Sequence, residues 1–140
     1  MADYHLSRFI EAQTHAYPQA LDEIRRGRKT SHWIWYIFPQ LSCLGQSFNA
    51  KYYGISGREE AIAYLADPQL SKNLIEISEA LLSLPTDDPV QVLGYVDAMK
   101  LRSCMTLFEA VAEEETVFTE ILEKFYSGQR DMLTLQILGK

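Results

Sequence analysis

The stretch Lys29-Thr30-Ser31-His32-Trp33-Ile34-Trp35-Tyr36-Ile37-Phe38-Pro39-Gln40 decides how this chain must fold. It carries both tryptophans, and every residue from Trp33 to Phe38 is apolar or aromatic. On a helix wheel these side chains cover every side, so the run has no face to leave in water. Burying it removes roughly several hundred Å² from solvent, at about 25 cal/mol per Å². The rest of the chain therefore has to surround it. Aromatic and β-branched content favours a strand, whereas Thr30 and Ser31 can cap a helix that Pro39 would stop. The flanking segments have helical periodicity, so the run is read as a helix.

Upstream, Leu6, Phe9, Ile10 and Gln13 fall at helical spacing, with Asp3 as the N-cap of a short first helix. Pro18 suits the first turn of a second helix, with Ala20, Leu21 and Ile24 inward and Gly27 at its end. Downstream, residues 41–55 read as a loop containing Gly45, Ser47 and Gly54. Ser56-Gly57-Arg58-Glu59 has the form of a capping box, followed by an apolar face of Ala61, Ile62, Tyr64 and Leu65. Asp67-Pro68 opens a helix with Leu70, Leu74, Ile77 and Leu81 inward, and Asp88-Pro89 caps another. Asp97 starts a helix whose stripe is Leu101, Cys104, Met105 and Phe108, with Arg102 pointing outward. A helix through Val117, Ile121 and Phe125 closes at Gly128, and Asp131 caps the last one. The expected fold is all-α: an irregular single domain over residues 1–140, a bundle of roughly six to eight short helices.

Composition bounds the function. With 47% hydrophobic residues, 23% charged residues and a net charge of −6, the chain is an ordinary globular protein with no unspecific attraction to nucleic acid. Arg25, Arg26, Arg28 and Lys29 are a local exception. They suit the C-terminal end of a helix dipole, or else a ligand or partner. Cys43 and Cys104 lack neighbours at zinc-ligand spacing and read as buried free thiols in a reducing compartment. The first residues lack the features of a secretory signal, and no apolar run approaches the ~18 residues a membrane span needs. A cytoplasmic protein without membrane contact, metal or cofactor is the expectation; oligomeric state is left open.

Three constellations can carry chemistry. Lys29, Ser31 and His32 beside Trp33, Trp35 and Tyr36 combine cation, hydroxyl and imidazole with aromatic faces, which suits a phosphorylated ligand with a stackable ring. His32 can equally be a structural, hydrogen-bonded histidine. In Asp97-Ala98-Met99-Lys100-Leu101-Arg102-Ser103, Asp97 falls in the apolar stripe and Lys100 at its edge. Asp97 is then an N-cap with an i,i+3 ion pair, or a general base with Lys100 and Ser103 as phosphate donors. Phe38-Pro39-Gln40 with Gly45, Gln46 and Ser47 is a plain turn or a close backbone approach to a ligand. His32 and Asp97 are the catalytic candidates. Lys29, Ser31, Trp33, Tyr36, Lys100 and Ser103 are the binding candidates, and His32 and Asp97 are expected to line one pocket.

The pattern Lys29-x-Ser31-His32-Trp33-x-Trp35-x-x-Phe38-Pro39-Gln40 resembles the signature of the bacterial family called domain of unknown function 1810, some members of which are labelled calpastatin-like. Arg8-Phe9, Gln13, Leu44-Gly45-x-Ser47, Tyr53, Lys100-Leu101-x-Ser103-x-Met105-Thr106-Leu107-Phe108, Phe118 and Asp131-x-x-Thr134-Leu135 fit the same pattern. Cys104 stands where that pattern has a second serine. The resemblance implies a small, mostly helical cytoplasmic domain. Calpastatin-type inhibitors are disordered and poor in aromatics, unlike this chain with its 11% aromatic residues. The family is also similar to predicted NAD- and ADP-ribose-processing domains. The functional expectation is a site that binds or hydrolyses a nucleotide-like, phosphate-bearing ligand of the ADP-ribose or NAD-metabolite type. The alternative is a non-catalytic interaction module using the basic Arg25–Lys29 patch.

Overall fold

The computed structural model describes residues 4–139, which form nine α-helices and no extended strand. They are α1 (Ser7–Arg25), α2 (Ile34–Ile37), α3 (Phe48–Tyr52), α4 (Arg58–Ala66), α5 (Pro68–Leu82), α6 (Pro89–Leu93), α7 (Tyr95–Val111), α8 (Val117–Tyr126) and α9 (Met132–Leu138). A 3-10 turn, Ser42–Leu44, precedes α3. The fold is all-α. No helix among the described residues is long and apolar enough to cross a membrane. The expected cap at Asp3 lies outside the described residues.

Helix α8 packs on both α5 and α7, α4 likewise lies against α5 and α7, and α1 is laid across α5. The amphipathic stripes explain this arrangement. Leu70, Leu74, Ile77 and Leu81 of α5 and Leu101, Cys104, Met105 and Phe108 of α7 belong to one core, with Phe118, Ile121 and Leu122 of α8, the helix that packs on both. The aspartate caps hold as expected. Asp67 accepts from the N–H groups of Gln69 and Leu70, Asp88 from those of Val90 and Gln91, and Asp131 from that of Thr134. Each Asp-Pro pair places proline in the first turn, where no N–H is needed.

Several local expectations change. Residues 7–25 form one helix with Pro18 inside it, where two helices were expected. Proline removes the bond to the Thr14 carbonyl, but Thr14 and Pro18 both lie on the exposed side, so water can serve that oxygen while the buried stripe runs on through Ala20 and Ile24. The central run is helical only at Ile34–Ile37; Lys29 to His32 is irregular, and Ser31 caps nothing. The expected capping box is displaced by one residue. Gly57 is the N-cap of α4, and it is Glu60 that reaches back to the Ser56 N–H, at 2.9 Å. Ile62 is exposed, not inward. Cys43 is exposed, because the 3-10 turn carries it outward, and only Cys104 is a buried thiol, its pKa raised by that burial.

The loop ahead of α4 is tied back by Ser42 N–H donating to the Ile55 carbonyl at 2.9 Å and Ile55 N–H donating to the Gln40 carbonyl at 2.8 Å. Two glycines make this closure fit: a Cβ at Gly45 would sit 2.2 Å from that of Ala50, and one at Gly54 would sit 2.3 Å from Cα of Ser42. Within the aromatic run, Trp33 is the fully enclosed indole at 2% exposure, whereas Trp35 and Tyr36 are half-buried at the edge. Trp33→Ala should therefore cost about 3–5 kcal/mol in urea unfolding, and Trp35→Ala clearly less. Equal losses would contradict this difference in burial.

Candidate functional site

The loop between α1 and α2 is irregular because a carboxylate has claimed its amides. Glu23, only 5% exposed near the end of α1, accepts from the N–H groups of Thr30 and Ser31, the Ser31 hydroxyl and the Trp33 indole N–H. Burial works against the charge on Glu23. The bonds from the Ser31 hydroxyl, Thr30 N–H, Trp33 indole and Ser31 N–H outweigh that cost and hold its pKa at about 2, below the ordinary 4.5. Sequence reasoning missed this residue. The signal was present, since Glu23 lies between Ala20 and Ile24 in the inward stripe, where an acid needs a set of donors.

With the loop held this way, the Lys29 N–H donates to the Val92 carbonyl at 2.7 Å, joining it to α6. The Lys29 side chain, 7% exposed, runs inward to Asp97, with Nζ 2.8 Å from Oδ2. Its ammonium also lies 5.0 Å from the centre of the Trp33 ring. Asp97 sits in the first turn of α7, whose N-cap is Gly94, so it reaches across to Lys29 and does not cap its own helix. Lys100, one turn on, approaches Asp97 at 4.0 Å and lies 5.4 Å from the centre of the Trp35 ring. The Trp35 indole N–H is buried and has no acceptor. Two ammonium groups, one carboxylate and two indoles thus meet where the α1–α2 loop touches α6 and α7.

Of the expected site residues, this corner gathers Lys29, Trp33, Asp97 and Lys100. Ser31 faces Glu23, with its hydroxyl proton already used. Ser103 is buried and donates back to the Met99 carbonyl at 3.3 Å within its helix. Tyr36 packs on Tyr53 and donates to the His32 carbonyl at 3.4 Å. His32 itself is exposed. Ser47 caps α3 by accepting from Ala50 N–H, which accounts for the hydroxyl in the third constellation. Among the described residues, no three His, Cys, Asp or Glu side chains are grouped so as to hold a metal ion.

The fold and this corner define a small all-helical domain in which an aromatic loop carries a lysine onto an aspartate of the longest core helix but one. The chain belongs to the DUF1810 family, described as proteins of unknown function, whose model matches residues 3–138. It is similar to the crystal structure of the conserved hypothetical protein Rv1873 from Mycobacterium tuberculosis, with 38% identity over 98% of each chain and a TM-score of 0.95. No curated protein matches it.

Glu23 makes a pH-dependent forecast. Its folded pKa lies below the unfolded one, so its stabilisation is complete above about pH 4.5 and is lost as the pH falls toward about 2. Glu23→Gln should destabilise the protein by about 2–3 kcal/mol at neutral pH. In urea melts, the gap to the wild type should narrow as the pH is lowered through that window. A gap unchanged at low pH would mean that the Glu23 charge does not organise the loop.

Proposed function

We propose that the Lys29–Asp97–Lys100 corner binds a small nucleotide-like ligand bearing phosphate, of the ADP-ribose or NAD-metabolite type. The observation that supports this reading is the charge balance: two ammonium groups approach one carboxylate, leaving one positive charge over in a half-buried setting. A phosphate beside Lys100 neutralises that excess with charge-assisted hydrogen bonds. No side chain caps the N-terminus of α7, whose N–H groups favour an anion at that helix start. Trp33 is enclosed and has no face left for a base. Tyr95, 70% exposed and two residues before Asp97, is the ring that can stack on one. In a hydrolytic reaction at a glycosidic or phosphoester bond, Asp97 takes the proton of the attacking water, and His32 is the second acid–base group.

A second reading rests on the exposure of Arg25, Arg26 and Arg28 at the end of α1, as an epitope for an acidic protein partner. Lys29 does not belong to that epitope, since its side chain is enclosed against Asp97.

Calorimetry with ADP-ribose, AMP and adenosine tests the first reading. Saturable binding of ADP-ribose is expected, weaker by about tenfold or more in Lys100→Met at a nearly unchanged melting temperature, with no response to adenosine. Silence toward ADP-ribose and AMP at millimolar concentration would overturn it. Under the second reading, a polyglutamate probe binds in low salt and is lost when the three arginines are reversed together.

A further inference from the structure

Three of the chain's arginines show what this fold ordinarily does with a guanidinium group. Arg8 donates to the carbonyls of Tyr4, His5, Tyr52 and Gly54 and to the carboxylate of Glu60. Arg58 donates to the Leu138 carbonyl at 3.1 Å. Arg130 meets Glu109 through Nε and Nη2 and gives Nη1 to the Gly128 carbonyl. Arg102 differs. It is half-buried, not outward-pointing as its position on the helix wheel suggested, and its Nε–H is buried with no acceptor. A buried guanidinium donor left unpaired is costly, so its place in the fold calls for an acceptor from outside.

Arg102 lines a cavity of about 570 Å³ with the 128–131 turn and Met132, Leu133 and Leu135 of α9. The other charged groups there already have hydrogen-bond partners. Arg130 is neutralised by Glu109, and Asp131 turns back to α9, accepting from both the N–H and the hydroxyl of Thr134. Arg102 is left as the lining charge with an unpartnered buried donor, its Nε–H. Part of the lining is apolar and reaches the surface, with Met132 67% exposed and Leu133 exposed beside it. The volume is within the range of small-molecule sites.

We propose that this cavity binds a small amphipathic organic anion, its carboxylate or phosphate head on the Arg102 guanidinium and its apolar tail along Met132, Leu133 and Leu135. The planar guanidinium suits either head, and the apolar wall excludes small hydrated ions as preferred ligands.

Calorimetric titration of the full chain with octanoate, octyl phosphate, octylammonium and inorganic phosphate tests this. One saturable site is expected for octanoate or octyl phosphate, the tighter of the two identifying the head group, with octylammonium silent and inorganic phosphate far weaker. Arg102→Met should weaken the amphiphile by about tenfold or more. Met132→Asp, at an exposed position that folding tolerates, should weaken it as well and keeps the test open if the arginine variant fails to fold. Absence of saturation by both anionic amphiphiles overturns the proposal. So does equal binding of octylammonium, or unchanged affinity in the variants.

Discussion

The buried carboxylate of Glu23 is the constraint on which the aromatic centre depends. Removing a carboxylate from water costs several kcal/mol unless donors replace its hydration, and here four donors from residues 30–33 do so. The exchange works in both directions. The loop satisfies the acid, and the acid takes the amides that would otherwise begin a helix at Ser31. The Trp33 indole is fixed by the same oxygen that holds the Thr30 N–H. Lys29, immediately before these donors, is thereby turned inward toward α7.

The other end of α1 repeats the device with opposite sign. Arg8 binds four backbone carbonyls and Glu60, and through them joins the chain before α1 to the end of α3 and the start of α4. Glu60 in turn holds the Ser56 N–H. Such pairs contribute little net energy compared with apolar packing, but breaking one leaves an uncompensated buried charge. Their effect is to select a single arrangement. Helix α1 is tied to α5 itself by other side chains, Asn73 donating to Gln13 at 3.0 Å and the Tyr17 hydroxyl donating to Glu76 at 2.7 Å.

What could be read from the sequence divides along the range of the forces involved. The Asp-Pro caps, the stripe of α5 and the termination of α8 at Gly128 depend on neighbours a few residues away, and all three were readable. The position of Pro18 was misread because local propensity disfavours a mid-helix proline by about 3 kcal/mol, while packing of α1 on α5 outweighs it. Trp33 and Trp35 are indistinguishable by composition; their difference in burial comes from Glu23, a partner ten residues upstream of Trp33. Lys29 and Asp97 were each singled out from local chemistry. Their direct contact needed the Val92 hydrogen bond and the turn at Gly94, which no periodicity encodes.

The charge distribution gives the two proposed sites a common logic. The chain is acidic overall, at −6, so the binding of any anion depends on local positive potential against that background. A small anion samples only the local potential once it is within a Debye length, about 8 Å at physiological salt. At the corner two partly buried ammonium groups approach one carboxylate, and in the cavity the Arg102 Nε–H has no acceptor. The two proposals differ in the second feature their ligands would carry: a ring to stack on Tyr95 for one, and an apolar tail to lie along α9 for the other.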